Sequence, residues 1–261
     1  MPDGITLRVH GAIREVMLDR PAALNAIDTP MASALAAVTE AVAEDGSARA
    51  VVLSAARGPA FCVGADLKER ASFTDAELLA QRPVFRAAFG GVLALPQPVI
   101  AAVHGFALGG GCELALACDL IVADETAVFG LPEVSVGLMP GGGGTQLLLR
   151  RLGPGRAADL VLTARRVAVE EAAALGLVDR RVPAGTARAA ALNLAEQVAA
   201  HSPVGLRNAK RALRTGWGLG LAAALEVEDE AWRATALSGD RAEGIAAFNA
   251  NRAPRWPGGD G

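Results

Sequence analysis

The fold is decided by the stretch Pro98-Val-Ile-Ala-Ala-Val-His-Gly-Phe-Ala-Leu-Gly-Gly-Gly-Cys-Glu113-Leu-Ala-Leu-Ala-Cys-Asp119. Its apolar beginning, residues 98–103, predicts a buried strand, and residues 114–118 predict a helix. Three glycines at positions 109–111 join the two segments. Glycines where a helix begins let a ligand approach bare backbone N–H groups, and the helix dipole there favours negative charge. A helix start packed tightly against a neighbouring strand would need the same glycines.

Strands and helices alternate outside this stretch as well. Residues 5–9 and 13–18 predict two short strands that are joined as a hairpin at His10-Gly11. A helix is predicted to follow, with Thr29 as its N-cap and Pro30 in its first position. Apolar residues then recur at helical spacing, at Met31, Leu35, Val38 and Val42.

The complete pattern predicts an α/β fold. Residues 50–54 and 120–123 predict further buried strands, and strands that alternate with helices form a largely parallel sheet. Helical spacing dominates the C-terminal half, where only residues 177–182 predict a strand. We therefore expect an α/β core over residues 1–200 and an all-helical region over residues 201–261.

Composition and charge weigh against several classes of protein. The chain has 261 residues, of which 52% are hydrophobic, so it can bury a large core. Its formal net charge of −3 gives no electrostatic reason to expect a nucleic-acid or anionic-membrane partner. No apolar run is long enough to span a bilayer, and the N-terminal residues lack the pattern of a secretory signal. We expect a soluble protein with neither a nucleic-acid nor a membrane partner.

The cysteines and histidines predict no metal site. Three cysteines are an odd number and show no CxxC spacing, so neither a disulfide framework nor a zinc site is indicated. A reducing, cytoplasmic setting fits them best. The three histidines are scattered without HExxH or other ligand spacing. For His104, beside the glycine turn, we expect a core or loop position.

Two glutamates stand close to glycine runs. Glu113 falls in the first turn of the predicted helix, where the dipole stabilises a carboxylate and where acidic residues are also common for structural reasons. Glu133 lies in the otherwise apolar segment 127–138, where it either caps a turn or has a functional role. Two carboxylates beside accessible N–H groups can share acid and base work on a substrate that develops an oxyanion. These glutamates are the candidate catalytic residues.

Two further glycine-containing segments bear on the site. Gly58-Pro-Ala-Phe-Cys-Val-Gly-Ala-Asp-Leu-Lys68 leaves a predicted strand and enters a helix near Asp66. Gly64 and Ala65 can offer a second backbone N–H at the carboxyl edge of the sheet, where ligands of α/β folds bind. The run Pro140-Gly-Gly-Gly-Gly144 suggests a phosphate cradle but lacks the lysine of a P-loop, so we do not expect an NTPase.

Several segments, in one order along nearly the whole chain, carry a resemblance to a known family. They are Asp19-Arg-Pro-Ala-Ala-Leu-Asn-Ala26, Phe61-Cys-Val-Gly-Ala-Asp-Leu-Lys68, residues 98–119, Pro132-Glu133, residues 140–146 and residues 240–248. Through them the chain resembles the crotonase family, the enoyl-CoA hydratases and isomerases. The resemblance implies a crotonase-like spiral of ββα units and a C-terminal all-helical region that acts as a lid and builds trimers, often paired into hexamers. It also implies an acyl-CoA substrate and no separate cofactor.

The resemblance implies specific roles for backbone groups. Two backbone N–H groups hold the thioester carbonyl in this family, and they map onto Ala65 and Gly110. Removing one such donor costs about 3 to 4 kcal/mol of transition-state stabilisation. The implied CoA-binding residues are Leu24, Ala26, Gly64, Ala65, Asp66, Leu67, Lys68 and Gly110.

The resemblance also implies the reaction. Hydratases of the family use two glutamates, and both positions are glutamate here. Glu113 would activate the water that attacks C3, and Glu133 would deliver a proton to C2 of the enolate. Isomerases generally lack the first of these glutamates, which favours hydration of a 2-enoyl-CoA. An isomerase, or another activity that forms an enolate on the same fold, is the alternative.

Smaller features refine this resemblance. Leu131, Gly142 and the four-glycine run resemble the methylglutaconyl-CoA hydratase branch. Members of that branch can also bind AU-rich RNA through a lysine-rich helix, whereas residues 31–44 here carry no basic residue. We therefore do not expect RNA binding. The acyl pocket is expected to draw on residues 70–95.

Overall fold

The computed structural model describes residues 4–257, which contain two β-sheets. The strands are β1 (Ile5–His10), β2 (Ile13–Leu18), β3 (Ala50–Ala55), β4 (Ala60–Cys62), β5 (Val99–Val103), β6 (Phe106–Leu108), β7 (Leu120–Asp124), β8 (Val128–Gly130), β9 (Arg166–Ala168) and β10 (Arg180–Val182). The larger sheet has the order β1-β2-β3-β5-β7-β10, and the smaller has the order β4-β6-β8-β9. Strands β1 and β2 form the predicted antiparallel hairpin, and the other neighbours in the larger sheet are parallel.

Helices cover both faces of the larger sheet. The α-helices are α1 (Thr29–Glu44), α2 (Leu67–Arg70), α3 (Asp75–Ala94), α4 (Gly110–Ala117), α5 (Gly144–Leu152), α6 (Pro154–Leu162), α7 (Val169–Leu175), α8 (Ala187–Ala199), α9 (Pro203–Gly216), α10 (Leu221–Ala236) and α11 (Gly239–Asn249). Helices α1 and α3 pack together and belong to the main core on one face. Helix α8 covers the other face, where Leu194 packs in a cluster with Val52 and Ile100.

A ββα unit occurs three times in succession. A strand of the larger sheet is followed by a strand of the smaller sheet and then by a helix, as β3-β4-α2, β5-β6-α4 and β7-β8-α5. The predicted spiral of ββα units is thus confirmed. Glycine makes its tight passages possible: Gly105, between β5 and β6, has a φ of 55°, and a Cβ built on it would lie 2.1 Å from the Pro59 carbonyl oxygen.

The first helix begins at its predicted cap, Thr29, one residue earlier than expected. The N-cap is Asp28, whose side chain accepts a hydrogen bond from the Met31 N–H at 3.0 Å, so Thr29 lies inside α1. The apolar spacing predicted for this helix is confirmed, because Met31, Leu35 and Val42 are buried.

The strands of the C-terminal half differ from the prediction. The strand expected at residues 177–182 is limited to β10, because the Leu177 N–H donates to the Ala172 carbonyl oxygen and closes the end of α7. Strand β9 was not predicted. Its three residues are too few to show a period, and it forms by antiparallel pairing with β8.

Of the last three helices, α9 is attached to the core by ion pairs. Lys210 on α9 donates from Nζ to the Gln97 carbonyl oxygen at 2.7 Å and pairs with Asp119 at 2.8 Å. Several large apolar side chains of these helices are exposed, including Trp232 and Phe248. A domain boundary near residue 200 stays a prediction. Among residues 4–257, no helix combines the length and the apolarity that a bilayer crossing requires.

Candidate active site

A cavity of about 630 Å³ opens where three strands of the smaller sheet end. Gly64 and Ala65 follow β4, Gly110 follows β6, and Glu133 follows β8; all of them line the cavity. Because β4, β6 and β8 are parallel, their carboxyl ends meet at one edge, as they do at the ligand sites of other α/β folds. Each ββα unit thus contributes one part of the cavity wall.

The glycine turn at residue 64 and the glycine turn at residues 109–111 are adjacent, which their spacing in the sequence could not establish. A Cβ built on Gly64 would lie 3.0 Å from the Gly110 nitrogen. A Cβ built on Gly111 would lie 2.0 Å from the Cys62 carbonyl oxygen, so only glycine lets α4 pack this closely on β4. The first N–H groups of a helix have no acceptor within that helix. Gly110, the first residue of α4, therefore presents such a group beside the cavity.

Glu113 is held by the backbone of the four-glycine run. It lies in the first turn of α4, with only 3% of its surface exposed. Its Oε1 accepts hydrogen bonds from the N–H groups of Gly142 and Gly144, each at 2.7 Å. Burial raises the pKa of Glu113, and these N–H groups oppose that rise because they stabilise the ionised carboxylate. The run suggested as a phosphate cradle binds an anion, but that anion is the protein's own side chain.

The same glycines also provide space. A Cβ built on Gly144 would lie 2.9 Å from Glu113 Oε1, and one built on Gly142 would lie 2.4 Å from Phe89 Cδ1. Sequence reasoning missed this role of Gly142 and Gly144, because their partner is about 30 residues away along the chain. The signal available in the sequence was a glycine run too long for a helix start alone.

Glu133 lines the same cavity and comes from a different ββα unit. It begins a 3-10 helix, Glu133–Val136, directly after Pro132. Its Oε2 is buried and has no hydrogen-bond partner among residues 4–257. Burial raises the pKa of Glu133 to about 7, and the nearby charge of Glu113 adds to the rise. A carboxyl group with a pKa near neutrality can act both as an acid and as a base.

Glycine is also required opposite Glu133. Gly109 has a φ of 52°, in the left-handed region, and a Cβ built on it would lie 3.2 Å from Glu133 Oε1. The three glycines at 109–111 therefore have separate functions: the first admits Glu133, the second presents an N–H group, and the third allows α4 to pack on β4.

Four of the eight residues predicted to contact CoA line the cavity, and four do not. Those that line it are Gly64, Ala65, Leu67 and Gly110. Those outside its lining are Leu24, Ala26, Asp66 and Lys68. The Asp66 carboxylate is engaged elsewhere: it accepts from Arg20 at 2.7 Å and from the Lys68 N–H at 2.9 Å, as the N-cap of α2. The hydrogen bond from Arg20 lowers the pKa of Asp66. CoA contacts of these residues remain predictions.

Side chains from α2, α3 and β9 complete the cavity wall. Arg70, Arg82 and Phe85 fall in the segment predicted to supply an acyl pocket. Arg166 was missed because its strand, β9, was missed. His104 does not line the cavity, in keeping with the core or loop position expected for it.

Known proteins are similar to this chain over almost its whole length. A family model described as enoyl-CoA hydratase/isomerase matches residues 8–259. The chain belongs to this family. Its resemblance to the crotonase family, drawn from the sequence, is therefore confirmed.

Individual relatives and solved structures of the enoyl-CoA hydratase/isomerase family agree with this assignment. A probable enoyl-CoA hydratase 2, mitochondrial, from Arabidopsis thaliana is 42% identical over 246 residues, which cover 94% of this chain and 82% of the relative. A 2,3-dehydroadipyl-CoA hydratase from Escherichia coli (strain K12) is 42% identical over 242 residues, covering 92% and 93%. The crystal structure of an enoyl-CoA hydratase from Bacillus anthracis matches with a TM-score of 0.95 at 37% identity, covering 98% of this chain and 100% of that one.

Proposed function

We propose that this protein adds water across the 2,3 double bond of a 2-enoyl-CoA thioester. The observation that carries the proposal is the arrangement of Glu113 and Glu133, two largely desolvated carboxyl groups from separate ββα units, around one cavity. The adjacent backbone of Gly64 and Gly110 lies at the same cavity. Relatives that are named enoyl-CoA hydratases support the proposal.

In the proposed mechanism, the backbone stabilises the charge that develops on the substrate. The N–H groups of Ala65 and Gly110 donate to the thioester oxygen, which becomes an enolate oxygen in the reaction. Donors fixed in place before the reaction cost no reorganisation, and each is worth about 3 kcal/mol in the transition state. The N-terminus of α4 contributes its dipole to the same oxygen.

The two glutamates divide the proton transfers. Glu113 accepts a proton from water through Oε2 while the water oxygen forms a bond to C3. The π electrons of the double bond move to the thioester, and the enolate is formed. Glu133, whose pKa is raised to about 7 and which is therefore protonated below that pH, then donates its proton to C2. The net change adds OH to C3 and H to C2 without a change in overall oxidation state, so no redox cofactor is needed. Because the N–H groups of Ala65 and Gly110 stabilise the enolate oxygen, we propose that no metal is used either.

We further propose that the protein acts as a homotrimer or homohexamer in the cytoplasm. The support for assembly is the set of exposed apolar side chains on α10 and α11, such as Trp232 at 66% and Phe248 at 81% exposure. Apolar patches of this kind mark contact surfaces. The support for a reducing compartment is that Cys62, Cys112 and Cys118 are buried free thiols.

A direct assay tests the proposed reaction. Mixing the purified protein with crotonyl-CoA should remove the ultraviolet absorbance of the conjugated enoyl thioester. A variant with both Glu113→Gln and Glu133→Gln is the control and should leave the absorbance unchanged. Failure to hydrate 2-enoyl-CoA thioesters of any chain length would contradict the proposal. Conversion of a 3-enoyl-CoA without hydration would identify the isomerase alternative instead.

A further inference from the structure

One part of the cavity wall carries positive charge that the proposed mechanism does not use. Arg70, at the end of α2, and Arg82, on α3, both line the cavity. Within residues 4–257, neither guanidinium forms an ion pair with a carboxylate. Most of the surrounding wall is apolar, including Leu78, Phe85 and Phe89. Arg70 is half-buried and Arg82 is exposed, so both guanidinium groups can meet an anion that enters the cavity.

Arg70 is held in place by neutral and aromatic neighbours. Its Nε donates to Gln81 Oε1 at 2.9 Å, and its guanidinium lies 4.7 Å from the centre of the Phe85 ring. Gln81 is only 5% exposed and is itself fixed, because its Nε2 donates to Thr29 Oγ1 at 2.7 Å and to Glu69 Oε2 at 2.9 Å. This network orients Arg70 while its two terminal nitrogens stay available to an acceptor.

Arg82 stands close to the reacting end of the cavity. A Cβ built on Gly141 would lie 3.0 Å from Arg82 Nη1, and the next residue, Gly142, binds the carboxylate of Glu113. The two arginines also influence each other. Burial lowers the pKa of Arg70; the charge of Glu69 opposes this, and the positive charge of Arg82 adds to it. A bound anion would relieve both the burial cost and the repulsion.

We propose that Arg70 and Arg82 bind the terminal carboxylate of a short dicarboxylic 2-enoyl-CoA. This inference rests on the proposed function, because it names the substrate class of the same site. Glu113 and Glu133 would repel a second carboxylate in the cavity, so a substrate of this class needs cations that offset this repulsion. Arginine suits that role, because its planar guanidinium can bind a carboxylate with two hydrogen bonds. An alkyl chain would leave both guanidinium groups unpaired.

A pair of matched substrates tests the inference. The six-carbon thioesters 2-hexenoyl-CoA and hex-2-enedioyl-CoA differ only in the terminal methyl or carboxylate group. We expect the wild-type protein to hydrate the diacid with the higher kcat/KM. Arg82→Met and Arg70→Met should each lower kcat/KM for the diacid by about 10- to 100-fold, through a higher KM. This factor corresponds to the loss of one hydrogen bond to a charged group. The factor by which kcat/KM falls for 2-hexenoyl-CoA should be at least ten times smaller. Arg86→Met, on an exposed position of α3 outside the cavity lining, is the control.

Other outcomes would overturn the inference. An equal rise in KM for both thioesters would mean that the arginines bind the phosphates of CoA. An equal fall in kcat at constant KM would mean that Arg82 acts on Glu113 alone. If neither thioester is hydrated, the proposed function fails. Calorimetric measurement of the binding of the saturated thioesters then tests this inference separately. Adipyl-CoA should bind more tightly than hexanoyl-CoA, and equal affinities would contradict the inference.

Discussion

Gly144 and Glu113 are in direct contact: the Gly144 N–H donates to Glu113 Oε1 at 2.7 Å, and a Cβ on Gly144 would lie 2.9 Å from the same oxygen. One residue therefore supplies a hydrogen bond and also the space that the carboxylate occupies. A side chain at this position would displace the carboxylate from its N–H donors. The position is consequently sensitive although its residue has no functional group.

Gly144→Ala should lower kcat for hydration at least about 10-fold, because small displacements of a catalytic group have large effects on rate. Initial rates with crotonyl-CoA provide the measurement. Gly155→Ala is the matched control, since a Cβ there meets no atom within 4 Å and Gly155 lies in helix α6. It should keep full activity and stabilise the protein by up to about 1 kcal/mol. Full activity in Gly144→Ala would refute the role given to this contact.

The two catalytic carboxyl groups should be separable by isotope exchange. Glu113→Gln should reduce water addition by about 10²- to 10⁴-fold while exchange of the C2 proton with solvent continues. Glu133→Gln should remove both. Mass spectrometry of butyryl-CoA in D₂O measures the exchange, and Glu125→Gln, an exposed position outside the cavity lining, is the control. Parallel loss of hydration and exchange in Glu113→Gln would show that the roles are assigned wrongly.

The rate of hydration should fall as the pH rises through about 7. Hydration requires protonated Glu133, whose pKa is raised to about 7. It also requires ionised Glu113, so the rate should fall again in acid, and this fall should begin above the ordinary glutamate pKa of 4.5 because burial raises the pKa of Glu113. Dehydration of the 3-hydroxyacyl-CoA uses the same total protonation of the pair, with the proton on Glu113 and with Glu133 ionised. Because the overall reaction takes up no free proton, kcat/KM for dehydration should follow the same pH profile as kcat/KM for hydration. A pH profile of kcat/KM that is flat between about 6 and 8 in both directions would rule out this assignment.

A buried carboxylate far from the cavity should govern acid stability. Glu15 is fully buried in the larger sheet, and Arg188 on α8 donates to both of its oxygens, at 2.5 and 2.6 Å. Burial raises the pKa of Glu15, but hydrogen bonds from Arg188, Ser54 and His10 outweigh it and lower the pKa to about 2. This stabilisation is complete above the unfolded pKa of about 4.5 and should be lost as the pH falls towards 2.

Removing the arginine should test that account. Arg188→Met should lower the free energy of unfolding at pH 7 by about 3 kcal/mol, because the buried carboxylate of Glu15 loses its guanidinium partner and keeps only Ser54 and His10. The difference from wild type should shrink in acid, where Glu15 is protonated. Urea unfolding at several pH values measures both effects. Arg181→Met is the control, because the ion pairs of Arg181 with Glu125 and Glu170 are exposed. It should lower the free energy of unfolding by less than about 1 kcal/mol. A pH-independent difference for Arg188→Met would count against the linkage.

The proposed assembly should depend on the apolar surface of α10. Wild-type protein should sediment as a trimer or hexamer, and Trp232→Glu should shift it towards the monomer, because Trp232 is 66% exposed in the isolated chain. Analytical ultracentrifugation measures the change. A monomeric wild-type protein at micromolar concentration would contradict the proposed assembly.

The sequence predicted the features that depend on neighbours along the chain. Apolar residues predict strands and helices because the buried positions of each element recur at a fixed spacing along the chain. The glycines at 109–111 identify the turn before α4. The association of Glu113 with Gly142 and Gly144 depends on tertiary packing across about 30 residues, and no local pattern records it. The cap at Asp28 differs by one residue from the prediction because several polar residues there can each accept the same N–H group.

The cavity is assembled from three successive ββα units, and this has a consequence for its formation. Residues 64–65 come from the first unit, Gly110 and Glu113 from the second, and Glu133 and the glycine run from the third. A chain in which one of the three units has not docked would lack the backbone of residues 64–65, or Gly110 and Glu113, or Glu133 together with the N–H groups that bind Glu113. During refolding, recovery of turnover should therefore lag behind recovery of secondary structure and report the arrival of the last unit.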